Sequence, residues 1–179
     1  MEASRFGNPS IFALGAFGFS LAMLGIELTI DHAAAGGAMY AVLFAGVLEF
    51  VAGMWLIAKG ESYFASILTL FGGWLLGFFL LNTQGKALDL VNPISSAWYM
   101  FALLPPVAFL AIPAFKMRQP KLIGAFISLF ALVLTLGFGF LLGPATAGKP
   151  WMLGAGWCSF ASMFFIWWAM YDNVMELIH

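Results

Sequence analysis

The chain has 179 residues, 63% hydrophobic and only 8% charged, with a mean hydropathy of +0.99. An ordinary globular chain is about 45–50% apolar, so a soluble domain of this size has nowhere to hide such a surplus, and lipid is its main solvent. The net charge of −1 offers no basic field to nucleic acid, and the single cysteine, Cys158, rules out an intrachain disulfide and has no Cys or His at metal-ligand spacing.

Residues 1–9 are polar, and the apolar run behind them is long enough to stay as a membrane helix rather than leave as a signal peptide. Asn8 and Pro9 open that run. Proline at a first helical position loses no hydrogen bond, and asparagine before it caps free N–H groups. Six apolar stretches follow, at roughly 11–30, 38–58, 63–82, 96–115, 122–142 and 151–171. Each has about 20 residues, enough to cross about 30 Å of hydrocarbon. Lipid offers no partner to backbone N–H and C=O groups, so the spans must be helices. The expected fold is an all-α integral membrane protein, one six-helix transmembrane domain over residues 1–179 with short connections. Those connections leave no room for a nucleotide site or a large lid.

Small residues show how such helices meet. Gly15 and Gly18 lie on the first span, Gly46 and Gly53 on the second, and Gly72, Gly73 and Gly77 on the third. In lipid, close backbone approach replaces hydrophobicity as the source of association. The fourth span differs: Pro105-Pro106 and Pro113 must interrupt its hydrogen-bond ladder.

Basic residues give the orientation. Arg5, Lys59, Lys116, Arg118 and Lys121 fall on one side and Lys86 and Lys149 on the other, which places both termini in the cytoplasm. Trp55, Tyr63 and Tyr171 mark the inner edge, and Tyr40, Trp98, Tyr99 and Trp151 the outer one. The outer cluster Glu27, Asp31 and His32 and the inner cluster Asp172, Glu176 and His179 read as solvated helix ends.

The stretch AVLFAGVLEFVAGMWLIAKG (41–60) sets Glu49 in the middle of a span, with Gly46 and Gly53 on its helical face. A carboxylate there costs about 2.5–3.5 kcal/mol on insertion scales, so it faces protein or water. It is either a hydrogen bond between helices or part of a solute path. No pair of carboxylates, no Ser-His-Asp set and no phosphate-cradling loop stands beside it. An enzyme is not expected, nor any metal or cofactor.

NPSIFALGAFGF (8–19) resembles the Asn-Pro-Ala-Pro-Leu-Gly-Leu signature and following Gly-Phe-Gly that open the first helix of the acetate uptake transporter family. That is the family of the bacterial succinate-acetate permease and the fungal ammonia and acetate exporters. AGVLEFVAG is similar to its Gly-Gly-x-x-Gln-x-x-Ala-Gly, and KGESYFASILTLFG to its Lys-Gly-Asn-Thr-Phe-Gly with a later Tyr-Gly. AGW (155–157) and AMYDNVME (169–176) resemble its last helix. The resemblance implies six helices around a pore within each protomer, a homo-hexamer, and a cell-membrane location with cytoplasmic termini. It also implies a hydrophobic constriction at Phe17, Phe71 and Leu129, a cytoplasmic mouth bordered by Asn8 and Pro9, and Glu49 in place of a buried Gln. Gly15, Gly46, Gly53 and Gly72 then pack helices near the pore. The chain departs from the pattern at Ile11, Phe12 and Ala13, at Phe71 for Tyr, at Leu103 and Val107, and at Trp167-Trp168.

The function so implied is a channel or proton-coupled transporter (a proton symport) for a very small solute, acetate or another short monocarboxylate, with succinate a further cargo. Burial favours the neutral form of a carboxyl, and protonated Glu49 offers an O–H donor much as the amide of Gln offers N–H. The alternative is a urea, short-amide or ammonia channel of the same six-helix hexameric design; a structural subunit without transport is a third class.

Overall fold

The computed structural model describes residues 8–176. Arg5 and His179, used above for orientation and charge, lie outside the described residues, as do residues 1–7 of the polar leader. Among the described residues there are six helices long and apolar enough to span a membrane: Pro9–Thr29, His32–Ala58, Ser62–Gly85, Pro93–Lys116, Pro120–Leu141 and Lys149–Met175. The chain is an all-α membrane protein.

Their ends follow local chemistry. Helix α1 (Pro9–Thr29) starts on Asn8, whose side chain accepts from the Ser10 N–H at 3.0 Å, with Pro9 inside the first turn. Before α2 (Ala35–Ala58), Asp31 caps a 3-10 turn, His32–Ala34, accepting from the Ala33 N–H at 2.9 Å. This added turn makes the second span start earlier than hydropathy alone suggests. Helix α3 (Ser62–Leu80) runs on into a π turn, Leu81–Gly85, and α6 (Pro120–Leu141) is followed by another, Gly143–Ala147. Helix α7 (Lys149–Met175) is the last helix of the described residues.

The fourth span is two helices, α4 (Pro93–Phe101) and α5 (Leu104–Lys116). A reciprocal capping box between Asn92 and Ser95 starts α4. The interruption falls just ahead of Pro105 and Pro106, which sit in the first turn of α5, where a missing N–H costs least. Pro113 lies inside α5.

The spans pack in a ring. Helix α2 lies between α3 and α1, α1 meets α7, α7 meets α6, and α6 carries both α4 and α5. Between the α4–α5 span and α3, side chains close the circle. The Tyr63 hydroxyl donates to the Leu110 carbonyl at 2.7 Å, and the Tyr99 hydroxyl to the Trp74 carbonyl at 2.7 Å. These two tyrosines, expected as membrane-edge residues, spend their hydroxyls on this seam. Tyr40, Trp98 and Tyr171 are exposed on the outer surface.

Two contacts between helices depend on glycine or serine. A Cβ on Gly72 would lie 2.5 Å from the Phe50 backbone nitrogen and 2.9 Å from the Gly46 carbonyl oxygen, so α2 and α3 touch backbone to backbone there. On the other side of α1, the buried Ser159 hydroxyl of α7 donates to the Leu21 carbonyl at 2.7 Å.

Candidate functional site

Two cavities lie inside the ring. One, of about 40 Å³, is walled by Ser10 and Leu14 of α1, Glu49 of α2, the first half of α3, the first half of α6 and Ile166 of α7. The other, of about 30 Å³, is walled by the later half of α1, Val42, the later half of α3, Leu103 and the later half of α6. Both exceed the roughly 10–15 Å³ that one water needs, so each has room for little more than two or three water-sized groups. Because α1, α3 and α6 run the same way through the ring, the first cavity belongs to the side of residue 8 and the second to the opposite side.

Three residues wall both cavities: Phe17, Phe71 and Leu129. Each sits near the middle of its helix. All are buried, and the Phe17 and Phe71 rings are 5.8 Å apart at a 33° tilt. They form the partition between the two spaces. The partition is wholly apolar, so a water or ion crossing it exchanges hydrogen bonds for hydrocarbon.

Glu49 is 0% exposed and walls the first cavity. Neither carboxyl oxygen has a hydrogen-bond partner among the described residues. The close α2–α3 approach places it there: a Cβ on Gly72 would come 3.0 Å from the Glu49 Cβ. Gly46 and Gly53 flank it on α2 and press against α3. Such a group is expensive unless something answers it; an unmade hydrogen bond at a buried polar group costs about 1–3 kcal/mol, and an unpaired charge more.

At the start of α1, Pro9 and Ser10 are buried and Ser10 reaches the cavity wall. Asn8 does not wall the cavity. Its Nδ2 donates to Asn173 Oδ1 at 3.1 Å, and Asn173 Nδ2 donates to the Ala169 carbonyl at 3.0 Å. Asn8 therefore caps α1 and clamps its start to the end of α7. We expect Asn8→Ala to destabilise the fold by about 1 kcal/mol for the cap alone, read as a modestly lowered melting temperature, and to reduce any flux through the ring by loosening the α1–α7 clamp. Thermal melts and vesicle flux on the same preparation check both; an unchanged flux with a lowered melt leaves Asn8 with a structural role only.

Gly15 does not face the cavities either. It packs against Met170, and its carbonyl accepts from Trp167 Nε1 at 3.3 Å. The outer cluster is a helix end: Asp31 is the cap described above, and His32 Nδ1 lies 3.8 Å from Glu27 Oε1. At the other end Lys121 pairs with Asp172 and sits 5.6 Å over the Trp168 ring.

Sequence reasoning did not find most of the wall. Ser10, Leu14, Phe17, Leu21 and Leu24 step along α1 at helical spacing, and Phe64, Leu68, Phe71, Leu75 and Phe78 do the same on α3. The signal is present as a period, yet every other face of these helices is apolar too, so the period carries no contrast.

No family model matches the chain. The Glyoxylate pathway regulator of Yarrowia lipolytica is 24% identical over 177 residues, 90% of this chain and 61% of that protein. Acetate permease A of Emericella nidulans is 30% identical over 88 residues, 48% of this chain and 30% of that protein. The chain thus spans 61% and 30% of the lengths of these curated relatives, less than two thirds of either. Among solved structures, the bacterial acetate channel SatP superposes with a TM-score of 0.84, covering 96% of this chain and 94% of that one at 20% identity. These likenesses bear out the resemblance to the acetate uptake transporter family and, with the six spans, make the chain a multi-pass membrane protein.

Proposed function

We propose that this chain is a membrane channel or proton-coupled transporter for a very small solute, with acetate or another short monocarboxylate as its cargo. The observation that carries this reading is the shared wall: Phe17, Phe71 and Leu129 bound a small cavity on either side, as a neck does. The relatives' names supply the cargo, since the similar chains are an acetate channel and an acetate permease.

The neck itself argues for the form that crosses. Stripping water from a carboxylate there costs far more than passing the neutral acid, so the solute crosses undissociated or together with a proton. Succinate, with two carboxyl groups to neutralise, suits this neck less well than acetate. Glu49, protonated, lines the approach without adding a charge.

The cell membrane is the proposed location, with cytoplasmic termini. Lys59, Lys116, Arg118 and Lys121 at one end of the ring, against Lys86 and Lys149 at the other, support that orientation. A homo-hexamer, one path per protomer, is proposed from the family resemblance. A monomeric particle in native-lipid nanodiscs would overturn it.

Uptake of labelled acetate and labelled urea into vesicles, with and without an inward acid gradient, tests the function. Acetate entry driven by the gradient, with little urea entry, is the expected result. Urea entry indifferent to pH, with no acetate entry, favours the amide channel instead.

A further inference from the structure

One joint of the ring is closed differently from the rest. Helices α2 and α3 meet backbone to backbone at Gly46 and Gly72, and α7 reaches the α1 main chain through the short Ser159 side chain. Of the ring's neighbours, α3 and the α4–α5 span approach least closely, and long side chains bridge them. Tyr63 holds the Leu110 carbonyl and Tyr99 the Trp74 carbonyl, each at 2.7 Å, and the Tyr99 ring stacks on Trp74 at 5.8 Å. Gly77 makes the socket for Tyr99, since a Cβ there would collide with its hydroxyl.

Span four can bend at this joint. Its other side is seated on α6, where the Phe101 ring fills the space above Gly137 and meets Phe138 edge-on at 5.3 Å. Between α4 and α5 the helix stops for Ala102 and Leu103, Pro105 and Pro106 supply no N–H, and Pro113 leaves the Phe109 carbonyl without its helical donor. Hinges sit at element ends of this kind. Leu103, in the break, walls the second cavity, and so do Trp74 and Phe78 across the seam.

That cavity holds about 30 Å³, room for about two or three water-sized groups, whereas acetic acid has four non-hydrogen atoms. A solute on this path needs a wall to move, and close-packed interiors yield at discrete joints rather than by stretching throughout. We propose that the seam between α3 and the α4–α5 span is a gate: span four swings from α3 about its break as the two tyrosine hydrogen bonds release, and the second cavity opens to the size of a short monocarboxylic acid. This rests on the channel reading above and names the part that moves. The tyrosines set the balance between the closed and open forms, and α6 carries the moving span.

The test locks the seam and then watches it. In a Cys158→Ala background, Tyr63→Cys and Leu110→Cys joined by a bifunctional methanethiosulfonate of about a tyrosine's length should cut acetic acid flux into vesicles about tenfold, and reduction should restore it. A disulfide between Thr135→Cys and Gly154→Cys, across the α6–α7 joint where these positions meet, should leave flux as it was. Tyr63→Phe with Tyr99→Phe keeps both rings and removes both hydrogen bonds, so the open form should gain about fivefold or more. Spin labels at the exposed Ser66 of α3 and Phe109 of α5, in nanodiscs diluted with unlabelled protein, should give two distances, the longer favoured in the double tyrosine variant. Labels at Ser66 and Val47, across α2–α3, should give one. Undiminished flux with the seam linked, or a single Ser66–Phe109 distance that the tyrosine variant leaves unchanged, overturns the gate and leaves the channel reading standing. A wild type that passes no acetic acid overturns the channel reading itself, and the spin-label distances then decide separately whether the seam opens.

Discussion

Phe71→Ala should raise the passage of butyrate relative to acetate through the proposed pathway. Phe71 is 2% exposed, belongs to the walls of both cavities and faces Phe17 across 5.8 Å. Removing its ring merges the two spaces where they are now divided. The ratio of butyrate to acetate flux should rise about tenfold or more, which needs only about 1.4 kcal/mol off the barrier for the larger acid. Cavity formation should cost about 3–5 kcal/mol if the neighbours hold still. Size-exclusion profiles and thermal melts must therefore accompany the flux. Phe71→Tyr installs the residue of the transporter family that the sequence resembles at nearly the same volume, so it should fold normally and leave the butyrate-to-acetate ratio as in wild type. An unchanged flux ratio in folded Phe71→Ala would mean that Phe17 and Leu129 alone divide the path, or that the solute crosses elsewhere.

What could be read from the sequence follows from where a lipid-soluble chain carries contrast. Twenty-residue apolar runs between Gly, Pro and charged residues are visible at once, and all six spans were. Glu49 was legible as an interior residue because a carboxyl in a span has few other places to be. Asn8 was legible as a cap, whereas its second partner, Asn173, lies 165 residues away and leaves no local trace. The position of the break in span four needed the structure: two prolines predict an interruption, but α5 tolerates both in its first turn and also Pro113 in its interior. Tyr63 and Tyr99 look like edge residues by position, and only the ring order shows that a seam between α3 and the α4–α5 span needs their hydroxyls.

Glu49→Gln should fold as wild type does and pass acetate at least as well, while losing part of the response to pH. The two side chains are nearly the same size, and Gln, like a protonated Glu, keeps both a donor and an acceptor at this position. No Lys or Arg stands beyond the first or last turn of a span, and neither Glu49 oxygen has a partner among the described residues, so ionisation there would leave a buried charge unanswered. The direction of the pH effect follows. Raising the pH lowers the fraction of undissociated acid for either protein, so flux is best expressed per undissociated acid molecule. On that scale wild-type flux should still fall at high pH, where an ionised Glu49 can no longer donate an O–H to the entering acid, and Glu49→Gln should be flat. Glu49→Leu should fold at least as stably, since a buried polar group without partners is exchanged for hydrocarbon of similar bulk, yet its flux should drop because the first cavity has lost its polar contact. Loss of all flux in Glu49→Gln, against a wild type with no pH response, would make Glu49 a charged cation site and favour ammonium as cargo. Wild-type flux in both variants with lowered melting temperatures would instead make Glu49 a packing residue.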